Sequence, residues 1–179
     1  MKLVFLGLQG SGKSTQAARL ATKLNLPLIE MGQLLRERGQ GQDQSAIQIK
    51  KALEVGDLVP DNLTIKTLAE KLSKPDYASG YVLDGYPRNF AQLEALDKDI
   101  DRVFYIMVSD QEAIKRLLKR GRVDDSLKVL TRRLNLYHQE TEPLLSYFKE
   151  KDNLEAIDGE RSIEAIEEEI AQKISDSKK

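Results

Sequence analysis

Residues 3–14 have the sequence LVFLGLQGSGKS, an apolar run followed directly by a glycine-rich segment. The apolar run is typical of a buried strand, and residues 7–14 fit the phosphate-binding pattern G-x-x-x-x-G-K-[ST]. Glycines at these positions let backbone N–H groups turn inward around an anion, and the helix that follows points its positive end at the same place. The stretch therefore predicts a strand, a phosphate-binding loop and a helix, which together begin an α/β fold.

Two side chains at the end of this loop carry chemistry. Lys13 adds a mobile positive charge for the outer phosphates of a nucleotide, and Ser14 offers a hydroxyl where such loops usually ligate magnesium. The structural alternative is a glycine-rich turn that only caps a helix. The complete pattern, placed directly behind a strand, favours the phosphate-binding interpretation.

Composition sets outer limits on the function. The chain has 179 residues, which predicts one domain, and its net charge is only −1 although 32% of its residues are charged. This balance disfavours a general binder of nucleic acid or of membrane surfaces. The absence of cysteine excludes disulfides and thiolate zinc sites. The chain begins almost directly with a strand and has no membrane-length apolar run, so we expect no signal peptide and a cytoplasmic protein.

Short apolar segments alternate with helical patterns along the rest of the chain. This alternation predicts βαβ crossovers and a five-stranded parallel sheet flanked by helices, with ligands beyond the carboxyl ends of the strands. Strands are expected at residues 3–6, 28–30, 81–84, 103–108 and 154–157. Helices are expected at residues 14–24, 44–54, 62–73, 90–96, 110–120, 126–149 and 162–174.

Two segments interrupt this alternation. Residues 31–60 contain helical pieces without a strand and predict a small flap over the sheet edge. Residues 119–126 form a compact turn that is first basic and then acidic. We call these segments the flap and the lid.

The strand expected at residues 81–84 ends in a carboxylate and is followed by a turn that contains glycine and proline. Asp84 at such a strand end can hold magnesium through its water shell, next to the phosphate loop. The turn aims Arg88 back across the site, and a guanidinium fork matches phosphate oxygens. Taken singly, each residue has an ordinary alternative, a turn-forming aspartate and a solvated arginine.

The order of the motifs says more than each motif alone. The phosphate loop is followed by Gly32-x-x-x-Arg36, Gly56-x-Leu58-Val59-Pro60, Asp84-Gly85-Tyr86-Pro87-Arg88 and Arg122-x-Asp124-Asp125. This set covers essentially the whole chain and resembles the adenylate kinase family with its nucleoside monophosphate kinase relatives. The resemblance implies a P-loop nucleoside triphosphate hydrolase-like fold and a single kinase domain over residues 1–179. The flap would bind the nucleoside monophosphate.

The activity implied by the resemblance is MgATP + AMP ⇌ 2 ADP, with Mg²⁺ as cofactor, no zinc and a monomeric enzyme. The resemblance assigns the binding of ATP to Gly10, Ser11, Gly12, Lys13, Ser14, Thr15, Arg116, Arg120, Gly159 and Arg161. It assigns magnesium to Asp84. Family members usually have glycine at the position of Ser14, so a bond from Ser14 to magnesium follows from the loop pattern and not from the family.

The resemblance assigns the AMP site to a second set of residues, in which Arg36 and Arg88 hold the phosphate and Gln92 recognises the adenine edge. That set is Met31, Gly32, Arg36, Leu58, Val59, Gly85, Arg88 and Gln92. The catalytic set is Lys13, Asp84, Arg88, Arg122 and Arg133. Only Gly121 separates Arg120 from Arg122, so the lid is shorter than in the zinc-free short-lid members of the family.

Two residues keep a second acceptor open. Met31 stands where AMP kinases usually have threonine, and Asn89 resembles the asparagine of UMP/CMP kinases. Gln92 favours adenine, because a hydrogen-bonding side chain discriminates bases better than a methionine contact does. The alternatives are therefore a UMP/CMP kinase or another nucleoside monophosphate kinase and, from another class, a non-catalytic sensor of adenine nucleotides.

Overall fold

A computed structural model of the protein describes residues 1–121 and 126–176. Its centre is a parallel five-stranded sheet with the strand order β2-β3-β1-β4-β5. The strands are β1 (Lys2–Leu6), β2 (Leu28–Glu30), β3 (Tyr81–Asp84), β4 (Arg102–Met107) and β5 (Leu154–Asp158). The predicted sheet and all its predicted strands are confirmed, with bounds that differ by at most one residue.

Helices cover the sheet. They are α1 (Lys13–Leu24), α2 (Met31–Arg38), α3 (Gln44–Val55), α4 (Asp61–Leu72), α5 (Phe90–Glu94), α6 (Asp110–Arg120), α7 (Leu127–Leu136), α8 (Leu144–Glu150) and α9 (Ile163–Asp176). A 3₁₀ turn spans Pro75–Tyr77, and a π-helical turn spans Tyr137–Thr141. Among the described residues, no helix combines the length and apolar character needed to cross a bilayer.

Side chains that alternate along β1 show how both faces of the sheet are buried. Leu3 and Phe5 lie in a core with side chains of α1 and α9, such as Leu20 and Ile170. Val4 and Leu6 belong to a second core, formed with side chains of α2, α3, α4, α5 and α8. An apolar run without polar interruption is what a strand buried on both faces requires.

The helix expected over residues 126–149 is not continuous, and that prediction is wrong. It ends at Leu136, continues as the π-helical turn Tyr137–Thr141 and resumes at Leu144. The N–H of Glu142 donates at 2.9 Å to the carbonyl of Tyr137, five residues earlier. Pro143 has no N–H to donate, so the regular i→i−4 ladder cannot pass through this point.

The flap contains α2 and α3, and its chain path is set by local contacts. Asp43 precedes α3, its carboxylate accepts a 3.1 Å hydrogen bond from the N–H of Ala46, and the ion pair with Arg38 lowers the pKa of Asp43 to about 2. Gly56 ends α3 with φ 81°, and the chain then turns toward α4. The flap at residues 31–60 and the lid at residues 119–126 stay predictions as structural units. Arg122, Asp124 and Asp125 of the lid lie outside the described residues.

Candidate active site

A cleft of about 350 Å³ opens at the carboxyl ends of the strands, between the flap and helices α6 and α7. Parallel strands end at the same edge of the sheet, and Asp84 at the end of β3 pairs with Phe5 of β1. The residues that follow these two strands therefore meet at the cleft. Most of the residues predicted for the site line this cleft. They are Gly10, Gly12, Lys13, Ser14, Thr15, Gly32, Arg36, Leu58, Asp84, Gly85, Arg88, Arg116, Arg120 and Arg133.

The phosphate loop has the conformation that its glycines predict. Gly10 has φ 88°, and a Cβ atom there would lie 2.6 Å from the carbonyl oxygen of Ala113, so only glycine fits without a shift. Lys13 begins α1 and is 8% exposed, and its ammonium donates at 3.1 Å to the carbonyl of Leu8. Gly12, the residue before α1, has no side chain to cap the first-turn N–H groups. These groups and the ammonium are placed where they can together hold an anion.

Ser14 and Asp84 meet at the floor of the cleft. The Ser14 hydroxyl donates to Oδ2 of Asp84 at 2.5 Å. Asp84 is 5% exposed, and its other oxygen, Oδ1, is buried with no hydrogen-bond partner among the described residues. A buried carboxylate oxygen without a donor is costly, and a cation removes that cost.

This pair fits magnesium, which prefers hard oxygen ligands and usually takes one or two side chains together with water and substrate phosphates. In the described part of the chain, no cluster of three or more acidic or histidine side chains offers a closed metal cage. The pair is therefore suited to an ion that arrives with a nucleotide.

Several arginines line the cleft and give it positive charge. The half-buried Arg88 donates from Nε to the carbonyl of Gly85 at 3.0 Å. Burial lowers the pKa of Arg88 below its ordinary value, and the charges of Arg133 and Arg36 act in the same direction, whereas Asp84 opposes them. Several guanidinium groups thus share one space, which favours a ligand with several negative charges.

Backbone carbonyls and neighbouring side chains orient these arginines. Arg133 donates to the carbonyl of Leu53 in the flap at 3.3 Å, and Arg36 donates to the side chain of Gln33 at 3.2 and 3.3 Å. Arg116 donates to the carbonyl of Gly159 at 2.9 Å and pairs with Glu112 at 2.9 Å. The charges at the cleft are thus held by helices α2, α6 and α7, and by the turn after β3.

Some predicted residues lie elsewhere. Met31, Val59 and Gln92 are 2%, 5% and 2% exposed and are not among the described residues that line the cleft. The backbone of Gly159 supports Arg116, and Arg161 forms an ion pair with Glu169. Ser11 is fully buried. The nucleotide contacts assigned to these residues stay predictions.

Other residues that line the cleft were not predicted for the site, among them Gln9, Tyr137 and Thr141. Gln9 occupies a variable position of the loop pattern, which carries no signal of its own. Tyr137 and Thr141 come from the π-helical turn, and Thr141 donates from Oγ1 to the carbonyl of Arg88 at 2.8 Å. Pro143 inside a helical pattern was the available sign of that turn.

Comparison of the sequence with known proteins identifies the family of the chain. The family model described as adenylate kinase matches residues 5–153. The chain belongs to the adenylate kinase family. The resemblance drawn from the order of the motifs is confirmed, and with it the P-loop fold and the status of an enzyme.

Relatives named adenylate kinase extend the similarity over most of the chain. One from Mycobacterium marinum is 43% identical over 155 residues, which cover 83% of this chain and 86% of the relative. One from Mycolicibacterium paratuberculosis is 39% identical over 173 residues, covering 93% and 94%. Another, from Mycobacterium tuberculosis, is 38% identical over the same length and with the same coverage.

Proposed function

We propose that the chain catalyses the reversible transfer of a phosphoryl group from MgATP to AMP, which yields two ADP. One observation carries the proposal. In a member of the adenylate kinase family, a single cleft joins the phosphate loop, the Ser14–Asp84 pair and arginines from α2, α6, α7 and the turn after β3.

The mechanism needs no nucleophilic side chain and no strong base. The attacking atom is an oxygen of the AMP phosphate, which is already anionic at neutral pH. The barrier lies in bringing several negative groups into line, so catalysis consists of positioning and charge neutralisation. We assign the loop N–H groups and Lys13 to the outer phosphates of ATP, and Arg36 and Arg88 to the phosphate of AMP. Arg133 belongs to α7 and donates to the carbonyl of Leu53 in the flap, and we assign it to the transferred group.

Ser14 and Asp84 would hold magnesium at the floor of the cleft. When bound, the ion neutralises charge on the ATP phosphates and polarises the bond that breaks. Arg122 belongs to the proposed catalytic set by the resemblance alone. We further propose that the flap and the lid close over both nucleotides, since water would otherwise compete as acceptor.

Adenine is the proposed acceptor base. Asn89, the residue that suggested UMP/CMP kinases, uses both ends of its amide within the fold. Its Oδ1 accepts the N–H of Gln92 at 3.0 Å and caps α5, while its Nδ2 donates to Asp61 at 2.9 Å. A structural duty thus accounts for this asparagine. Met31, the other residue that left the acceptor open, is 2% exposed and is not among the described residues that line the cleft.

We also propose a monomer that works in the cytoplasm on small nucleotides. The near-neutral net charge of −1 gives no general attraction to a polyanion such as nucleic acid.

Formation of ADP across a panel of acceptors tests the function. The purified chain is supplied with ATP and Mg²⁺ and with AMP, UMP, CMP or GMP at equal concentration. AMP is expected to give the fastest ADP formation. Faster reaction with UMP or CMP would overturn the acceptor assignment, and binding of AMP without any ADP would favour the sensor.

A further inference from the structure

The carboxylate of Asp61 accepts two side-chain hydrogen bonds that join the end of the flap to α5. Asp61 is the first residue of α4, directly after the flap. Its Oδ1 lies 2.8 Å from Nε2 of Gln92 and 2.9 Å from Nδ2 of Asn89. Asn89 caps α5 and Gln92 lies within it, so one carboxylate oxygen links the end of the flap to the segment that follows β3.

Asp61 determines which way the amide of Gln92 points. Oε1 of Gln92 accepts a 2.9 Å hydrogen bond from the backbone N–H of Arg88. An amide turned by half a rotation would place its oxygen against the carboxylate of Asp61 and its NH₂ against that N–H group. An ionised carboxylate can only accept, so the observed orientation is the one that satisfies both contacts.

The same amide holds the backbone of Arg88. The side-chain oxygen of Gln92 accepts the backbone N–H of Arg88, and Thr141 donates at 2.8 Å to the carbonyl of Arg88. Both backbone polar groups of Arg88 are thus held by hydrogen bonds. This restricts the directions in which the guanidinium can extend into the cleft. A change at Asp61 therefore reaches Arg88 through Gln92, a side chain that is only 2% exposed.

We propose that Asp61 is a positioning residue for the acceptor nucleotide. By fixing the amide of Gln92, it orients the group assigned to the base and steadies the arginine assigned to the phosphate. This inference rests on the proposed function, which supplies the role of Arg88, and on the adenine contact that the resemblance assigns to Gln92. It adds to them a carboxylate that is not among the described residues lining the cleft.

Substitution of Asp61 tests the inference. Asp61→Ala removes the acceptor and leaves two amide donors unpaired, so KM for AMP is expected to rise about 10-fold while KM for ATP stays unchanged. The preference for AMP over CMP, measured as the ratio of kcat/KM values, should fall by a similar factor. Asp61→Asn keeps an oxygen acceptor and is expected to stay close to the wild type.

Asp76→Ala is the matched control, because Asp76 is exposed in the 3₁₀ turn. A merely structural role would affect AMP and ATP alike.

Calorimetric titration of AMP into the same proteins separates this inference from the proposed reaction. A wild type that binds AMP without making ADP overturns the reaction, yet the titration still tests Asp61. Unchanged AMP affinity and selectivity in Asp61→Ala would overturn the inference. So would an Asp61→Asn variant that loses as much as Asp61→Ala.

A second pair of variants applies if Asp61→Ala does not fold. Gln92→Glu places a second carboxylate against Asp61 and is expected to weaken AMP binding. Adding Asp61→Asn removes that repulsion and should restore part of the affinity. A double variant no better than Gln92→Glu alone would contradict the proposed contact.

Discussion

The hydroxyl of Ser14 donates a 2.5 Å hydrogen bond to Asp84, a residue 70 positions further along the chain. The bond joins the first turn of α1 to the end of β3, the two elements that meet beneath the phosphate loop. Oδ1 of the same carboxylate is buried and has no hydrogen-bond partner among the described residues. The floor of the cleft thus combines a hydroxyl with an unsatisfied anionic oxygen.

We expect Ser14→Ala to weaken the use of magnesium. The substitution removes one oxygen ligand and the donor that orients Asp84, so half-maximal activity should require about 10-fold more Mg²⁺. Asp84→Asn, which removes the negative charge, should have the larger effect. A titration of activity with Mg²⁺ measures both. Ser146→Ala on the exposed side of α8 is the control. Equal Mg²⁺ dependence in Ser14→Ala and the wild type would contradict the assigned role.

Replacement of Arg88 should lower turnover strongly. Arg88→Ala removes a guanidinium that lies with Arg36 and Arg133 near the acceptor site, and kcat is expected to fall about 10²- to 10³-fold. Arg88→Lys should rescue little of this loss, because an ammonium cannot form two parallel bonds to a phosphate. Steady-state kinetics with AMP give the values, and Arg19→Ala, on the α1 surface that faces Glu167, serves as control. Near-normal ADP output from Arg88→Ala would contradict the mechanism.

Gly56→Ala should destabilise the fold more than Gly121→Ala. Both glycines end a helix in the left-handed region, with φ 81° and 63°. A Cβ on Gly56 would lie 2.9 Å from Cγ1 of Val129 in α7, whereas a Cβ on Gly121 meets no heavy atom of the described residues within 4 Å. The expected loss in free energy of unfolding is about 1–3 kcal/mol for Gly56→Ala and about 1 kcal/mol for Gly121→Ala. Urea denaturation measures both, and equal losses would show that the contact with Val129 is unimportant.

His138 should make stability depend on pH. Its Nδ1 lies 2.7 Å from Oε2 of Glu142, and its Nε2 lies 3.1 Å from Oδ1 of Asp110. The hydrogen bond to Glu142 raises the pKa of His138 above its ordinary 6.5, Asp110 adds to this shift, and partial burial opposes it. Because the folded-state pKa is the higher one, the stabilisation is complete below pH 6.5 and disappears as the pH rises through the raised pKa.

Denaturation of the wild type and of His138→Gln over a series of pH values tests this expectation. The stability advantage of the wild type should shrink as the pH rises. The side chain of His138 is 40% exposed, so solvent screening keeps the effect small. A difference between the two proteins that is the same at every pH would contradict the titration of His138.

Local patterns predicted the frame of the molecule. The apolar runs placed every strand to within one residue, because a strand buried on both faces needs unbroken apolar sequence. The interruption at Pro143 was missed, since the helical periodicity continues on both sides of it. The position of Gln92 could not be foreseen either, because the contact of its amide with Asp61 joins residues 31 positions apart.

By itself, the sequence determined the strand–loop–helix unit at residues 2–24, because the glycines and the apolar run act on their immediate neighbours. It also determined the family, through the order of its motifs. Only the tertiary structure decided which groups share the cleft. The strand order β2-β3-β1-β4-β5 brings the end of β3 beside β1, and the π-helical turn brings Thr141 to the carbonyl of Arg88, 53 positions away. Hydrogen bonds between distant residues depend on how whole elements pack, and no local pattern encodes that packing.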